Sequence, residues 1–488
     1  MCDEQMAQEE RHMQHGLSLV VVGGNESGKT SVFNTLLGQG GPQDGQRTVN
    51  CMKRDGHLRE RRLTVVDTPG WWKDYLLIDT AERTKRELVL SVQHCPPGPH
   101  AFILTVEIGK FTEKNRRAVE EHLGLFGENI WKHTIVVFTR GEVLRGKSIE
   151  QHIESEGEAL GWLLETCGNR YCVFDKQTRD QNLAIQLLDK IEKVEVSNSS
   201  RHFELDEKTL REVEEKKRAA QERASERRLK VEEERNQVKG EGQIQLLAEV
   251  RIVMLGWVSC GKSSAKNVIL NRKEHAARNR TKRCEKEAGL VGNRHVTVVD
   301  TPGWWKYFDA QYTPHWVKAE LERSVTLGSN SPHALLLVVP ADVSFLEEQR
   351  KIIQETMKIF GEMAWRHTLV LFTWGDRLGS TSIEEHIESE KPLRWLVEKC
   401  GNRYHVFNNV NRGDGSQVHQ LLEKIDEIEA SVSSCALTPE APKTEVKESP
   451  KEAEEVRPEI VELLDEQWNR MDKELEEKIR TMWQETLS

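Results

Sequence analysis

Short continuous apolar runs alternate along this chain with stretches of helical periodicity. LSLVVVG (17–23), RLTVVD (62–67), AFILTVEI (101–108) and HTIVVFT (133–139) are followed much later by VRIVMLG (250–256), HVTVVD (295–300), ALLLVVP (334–340) and HTLVLFT (367–373). Runs of this length, separated by amphipathic segments, predict strands buried on both faces of a largely parallel sheet. The expected class is α/β, with two tandem doubly wound domains.

The two sets of strands belong to one duplicated unit. VVDTPGWWK stands at 65–73 and again at 298–306, HIESE at 152–156 and 386–390, and CGNRY at 167–171 and 400–404. A period this long gives globular domains rather than a solenoid. The expected organisation is a polar N-terminal tail (1–16), a first domain (17–197), a charged helical linker (198–247), a second domain (248–432), a disordered linker (433–456) and an amphipathic helix (457–488).

The first linker mixes both charge signs without proline, and reads as a solvent-exposed helix laced with i,i+4 ion pairs. About 36 helical residues would reach about 54 Å. In the last segment Leu464, Trp468, Met471, Leu475, Ile479 and Met482 recur at helical spacing. That face suits docking on its own domain or pairing with a helical protein partner.

Composition narrows the function. A net charge of −10 argues against a nucleic-acid binder. Nine scattered cysteines form no CxxC pair and no zinc spacing, so reduced thiols and a cytoplasmic setting are expected. No apolar run approaches the roughly 20 residues of a membrane span, and no lipidation box is visible, so no intrinsic membrane anchor is expected.

The chemistry is carried by GGNESGKT (23–30) and GWVSCGKS (256–263), which both match GxxxxGK[ST] between a strand and a helix. Gly23, Gly28, Gly256 and Gly261 let backbone N–H groups converge on phosphate oxygens at a helix N-terminus. Lys29 and Lys262 supply charge to the β- and γ-phosphates, and Thr30 and Ser263 a hydroxyl to Mg²⁺. DTPG follows at the end of the next strand, with Asp67 and Asp300 as candidates for Mg²⁺ and Gly70 and Gly303 for the γ-phosphate. Lys29 lies 38 residues before Asp67, and Lys262 the same 38 before Asp300. Between them Thr48 and Thr281 are candidate switch ligands for Mg²⁺ and the γ-phosphate. His100 and His333 are polar candidates near the switches, or structural caps of the turns they follow.

The set DTPGWW, PGPHAF or SPHALL, FTEKNRRAVEEHLGLFG, HTIVVFTRGE or HTLVLFTWGD, HIESE and GNRYHVFNN resembles the GIMAP-type, immunity-associated GTPases. The resemblance covers both repeats, about three quarters of the chain, but neither the charged linker nor the tail. It implies P-loop GTPase domains that bind GTP or GDP with Mg²⁺ and self-associate through the nucleotide-dependent face.

By resemblance Asp376 reads guanine N1–H and N2–H₂, and Asn408 matches the later base-side motif, with Asn409 the second candidate. The first repeat departs at both places, with Glu142 and Asp175, which implies weaker guanine selectivity there. Trp71 and Trp304 follow DTPG where a Ras-like protein places a water-orienting glutamine, and an indole cannot align water. The segment where relatives donate an arginine across a dimer has Lys110 and Ser344. No catalytic residue is assigned, and hydrolysis is expected to be slow. The alternative is a nucleotide-gated scaffold with little turnover and a first domain that is a pseudo-GTPase; Asp376 disfavours an ATP-driven enzyme.

Overall fold

The computed structural model describes residues 16–38, 48–174, 181–199, 201–240, 244–272, 281–306, 310–327, 331–409 and 415–432. Asp175, nearly all of the polar N-terminal tail, and both C-terminal segments (433–456 and 457–488) lie outside the described residues.

The first unit contains strands β1 (Leu17–Gly23), β2 (Met52–Leu58), β3 (Arg61–Asp67), β4 (Ala101–Glu107), β5 (Thr134–Thr139) and β6 (Tyr171–Val173). Helices α1 (Lys29–Leu36), α2 (Glu82–Leu90), α3 (Glu113–Leu123), α4 (Ile149–Glu156), α5 (Glu158–Thr166) and α6 (Gln181–Ser197) connect and cover them. A charged helix, α7 (Glu207–Gly240), follows.

The second unit repeats the plan. Its strands are β7 (Glu249–Leu255), β8 (Glu285–Val291), β9 (Arg294–Asp300), β10 (Ala334–Pro340), β11 (Thr368–Thr373) and β12 (Tyr404–Val406). Its helices are α8 (Lys262–Ile269), α9 (His315–Ser324), α10 (Glu347–Met357), α11 (Ile383–Ser389), α12 (Lys391–Lys399) and α13 (Ser416–Val432). The boundary between the compact units falls inside α7, between Gln221 and Glu222.

Each unit holds a six-stranded mixed sheet, ordered β2-β3-β1-β4-β5-β6 in the first and β8-β9-β7-β10-β11-β12 in the second. Every residue of β1, β5, β10 and β11 is buried, as the apolar runs predict for central strands covered on both faces. Sequence reasoning missed β2 and β8. They are antiparallel edge strands that alternate half-buried and exposed positions. MKRDGHL and EKEAGLV each mix charged residues with a glycine and hold no continuous apolar run, which hides the strand from a hydrophobicity scan.

The solvent-exposed reading of the charged linker needs correction. Its ion pairs Arg211–Glu207, Lys208–Glu212 and Lys230–Glu234 do run at i,i+4. Four arginines of its second half instead leave the helix and bind the second unit. Arg227 Nε donates to Glu388 Oε1 (2.6 Å), NH1 to Asn402 Oδ1 (2.8 Å) and NH2 to Glu398 (3.1 Å). Arg223 reaches Glu388, Arg228 reaches Glu384, and Arg235 forks onto Glu427. A helix with little apolar face docks here because the receiving face is acidic. Among the described residues no helix is long and apolar enough to cross a membrane.

Candidate functional site

In both units the GxxxxGK[ST] and DTPG candidates meet at the C-terminal end of the first strand, where the chain curls into the glycine-rich loop. Gly28 caps α1 with a left-handed φ of 85°, and a Cβ there would lie 2.8 Å from Thr139 Cγ2, so only glycine lets the loop close against β5. Thr139 Oγ1 donates to Ser27 O (2.9 Å), and Thr373 repeats this to Cys260 O (2.8 Å). These threonines, which anchor each loop to the fifth strand, were missed by motif reading because they sit in what looks like an ordinary buried strand.

Lys29 Nζ donates to Gly24 O (2.7 Å), and Lys262 Nζ to the carbonyls of Gly256 (3.0 Å) and Trp257 (2.8 Å). Both ammonium groups thus lie over their own loops. The DTPG glycines approach the same place: a Cβ on Gly70 would stand 2.5 Å from Lys29 Nζ, and one on Gly303 2.6 Å from Val258 N.

A hydroxyl–carboxylate cluster sits beside each lysine. Thr30 Oγ1 and Thr48 Oγ1 donate to Asp67 Oδ2 at 3.0 and 2.6 Å. In the second unit Ser263 Oγ and Thr281 Oγ1 donate to Asp300 Oδ2 at 2.6 and 3.5 Å. The other carboxylate oxygen, Oδ1 of Asp67 and of Asp300, is buried without a hydrogen-bond partner. Burial pushes the Asp67 carboxyl up, against the pull of Lys29 and of the two threonine hydroxyls. Two hydroxyls and a desolvated, half-satisfied carboxylate fit Mg²⁺, which takes a few hard oxygen ligands from protein and the rest from phosphate and water.

The backbone three residues after Thr48 and Thr281 is pinned in each unit by a glutamate that motif reading passed over. Cys51 N donates to Glu87 Oε2 (3.1 Å) and Cys284 N to Glu320 Oε2 (2.6 Å). In the second unit a further cation approaches: Lys266 Nζ is 3.7 Å from Asp300 Oδ2, with Glu287 at 2.7 Å and Glu285 at 3.4 Å. At the matching place in the first unit stands Phe33.

Just after β11, Asp376 Oδ1 accepts from Asn409 N (3.0 Å). Asn409 Oδ1 accepts from Trp374 N (2.8 Å), and its Nδ2 donates to Ser264 Oγ (3.0 Å) at the start of α8. Asn409 therefore ties the turn at 374–376 to α8, while the exposed Asn408 bonds through its backbone to Gln417. Arg377 lies over the Trp374 ring at 3.9 Å and pairs with Asp342. In the first unit Glu142 has a buried Oε2 without a partner, and Arg140 pairs with Glu107 (2.8 Å).

The remaining candidates divide. Trp71 and Trp304 are buried, and their carbonyls accept from Asn25 N (2.6 Å) and Val258 N (2.8 Å), so they clamp the segment after DTPG to the glycine-rich loop. Ser344 is buried and donates to Glu390 (3.2 Å), whereas Lys110 is exposed.

His100 and His333 lie away from the glycine-rich loops and the DTPG segments. His100 Nδ1 accepts from Ser18 N (3.0 Å) and His333 Nδ1 from Arg251 N (2.9 Å), at the opposite end of the first strand from the loop. Burial lowers both, His333 to about 4, as expected of neutral rings that tie strands together.

The AIG1 family model matches residues 17–224 and 250–456. Among curated proteins the chain is 27% identical over 431 residues to GTPase IMAP family member 8 of Homo sapiens, covering 84% of this chain and 62% of that protein. It is 28% identical over 199 residues to immune-associated nucleotide-binding protein 7 of Arabidopsis thaliana, covering 38% of this chain and 63% of that one. The chain thus spans less than two thirds of the length of these relatives. Among solved structures, Toc33 of Arabidopsis thaliana in complex with GDP and Mg²⁺ aligns at 18% identity and a TM-score of 0.31, covering 45% of this chain and 96% of that one.

Proposed function

The chain belongs to the AIG1 family, and from that premise we propose that it is a guanine-nucleotide-binding protein with two GTP- and Mg²⁺-dependent switch domains that self-associate and turn over slowly. The observation that carries the reading is the convergence, twice in one chain, of a phosphate-loop lysine, two hydroxyls and an aspartate with an unpartnered buried oxygen.

Thr30, Thr48 and Asp67 in the first domain, and Ser263, Thr281 and Asp300 in the second, would hold Mg²⁺. When bound, the ion neutralises phosphate oxygens and orients them. Lys29 and Lys262 turn from their loop carbonyls to the phosphates. Thr48 and Thr281 hold the first switch closed, while the Gly70 and Gly303 N–H groups donate to the γ-phosphate. Trp71 and Trp304 couple the second switch to the loop through their carbonyls, but their indoles cannot position an attacking water, which supports slow turnover.

Asp376 is the guanine-reading carboxylate. Asn409, which bridges Asp376 to Ser264, supports the base loop, and Asn408 flanks it. In the first domain Glu142, with Asp175 following, is the weaker counterpart.

A γ-phosphate orders the switch segments and so favours the face that pairs with a second such domain. Light scattering tests this: mass should rise with Mg²⁺ and a non-hydrolysable GTP analogue in the wild-type chain, and not with GDP or in Lys262→Ala. Identical masses in every condition, with no compaction by small-angle scattering, would end the switch reading.

A further inference from the structure

The tandem copies share an acidic face, and among the described residues only that of the second unit is covered. In the second unit the guanidinium groups of α7 bind Glu384, Glu388, Glu398 and Asn402, burying Glu388 and Asn402 to 5% and 9% exposure. With the HIESE and CGNRY segments in register, the first unit keeps each group as Glu150, Glu154, Glu165 and Asn169.

The surrounding scaffold is also kept. Tyr404 OH donates to Glu384 as Tyr171 OH does to Glu150, and Lys424 and Lys190 each donate to the carbonyl of that tyrosine. Yet Glu154, Glu165 and Asn169 are exposed, and among the described residues no side chain partners them. Arg394, which helps neutralise Glu388 at 3.7 Å, is replaced by Gly161, beside which a Cβ would meet nothing within 4 Å. The carboxylates are preformed, and among the described residues the face is open where a side chain would enter.

One position differs in sign. Glu427, which receives the fork of Arg235 at 2.6 and 2.8 Å, corresponds to the exposed Lys193. A second copy of α7 would bring Arg235 against that lysine, so the face discriminates against the chain's own helix.

We propose that the Glu154–Glu165–Asn169 face of the first unit docks a helix of another polypeptide that carries arginine at i, i+4 and i+5 and an acidic residue at i+12. The first three arginines reproduce the register of Arg223, Arg227 and Arg228, and the acid meets Lys193. Glu154 takes the central guanidinium, as Glu388 takes that of Arg227.

The probe is a fluorescent peptide of residues 216–240 carrying Arg235→Glu, titrated by anisotropy into the full chain at low salt. It should bind saturably, with affinity falling at least about ten-fold in full chains carrying Glu154→Arg or Glu165→Arg, both exposed sites whose variants should keep the wild-type melting midpoint. The same peptide with native Arg235 should bind about five-fold more weakly. Absence of saturable binding, or equal binding to both variants and the wild type, would overturn the proposal. A native peptide that binds as tightly as the altered one would assign the face to a second copy of the chain instead.

Discussion

Arg227→Ala isolates the contact that holds the charged helix to the second domain. Arg227 is 7% exposed and Glu388 5%, so truncation strips the shortest partner from a buried carboxylate and leaves Asn402 Oδ1 without its donor. Removing one side of a buried, hydrogen-bonded pair costs about 3–5 kcal/mol when nothing replaces it. Here Arg223 remains at 3.2 Å and Arg394 at 3.7 Å from Glu388, so part of the charge stays compensated. A loss of about 2–3 kcal/mol is expected, against less than about 1 kcal/mol for Arg223→Ala, whose side chain is 40% exposed. With a urea slope of about 2–3 kcal/mol/M, the midpoint of the second domain's transition should fall by about 1 M.

Two units need not unfold together, so hydrogen exchange over residues 222–240 and 383–402 is the second readout. Protection should drop in both segments in Arg227→Ala. A midpoint shift no larger than that of Arg223→Ala, or unchanged exchange along the helix, would refute the claim that charge rather than apolar area docks it.

Three further outcomes follow from the same geometry. In a Lys262→Ala background, Glu142→Asp should tighten GTP at the first domain by about ten-fold in calorimetry, because a restored base hydrogen bond to a charged group is worth about 1.5–3 kcal/mol; no change would remove Glu142 from base recognition. Lys266→Met should tighten Mg²⁺ at the second domain, measured as metal-dependent nucleotide retention, since it removes a cation 3.7 Å from the Asp300 carboxylate; an unchanged or weaker requirement would contradict this. Burial pushes the His405 imidazole down to about 3, so the unfolded ring takes a proton as pH falls through about 6.5 while the folded ring stays neutral. Its contribution is complete above that pH and drains below it at about 1.4 kcal/mol per pH unit, so His405→Gln should flatten the acid limb of stability between about pH 6 and 4 relative to wild type.

The central strands, the duplication and the phosphate loops were legible because each leaves a contiguous mark: an apolar run, a repeated string, or glycines next to Lys-Thr or Lys-Ser. The edge strands β2 and β8 were not, since charged residues and a glycine break up any apolar run in each. The site was legible where chemistry and sequence neighbours coincide, as at Lys262, Ser263 and Asp300. It was opaque where a residue acts across the sheet. Thr139 and Thr373 read as strand interior, Glu87 and Glu320 as helix surface, and Asn409 differs from Asn408 only in which way the backbone turns. The docking of α7 was hidden for a related reason. Arginines four apart look identical in a solvated helix and in one that faces Glu388, because the deciding residues lie about 160 positions away.

The most direct test of the account is nucleotide titration of the full chain with Mg²⁺, using GTP, GDP and ATP, alongside Lys29→Ala, Lys262→Ala and the double variant. The account predicts guanine nucleotides binding in preference to ATP, a dominant tighter site lost in Lys262→Ala, a weaker one lost in Lys29→Ala, and neither in the double variant. Binding of ATP as tight as GTP, or binding that survives in the double variant, would contradict it.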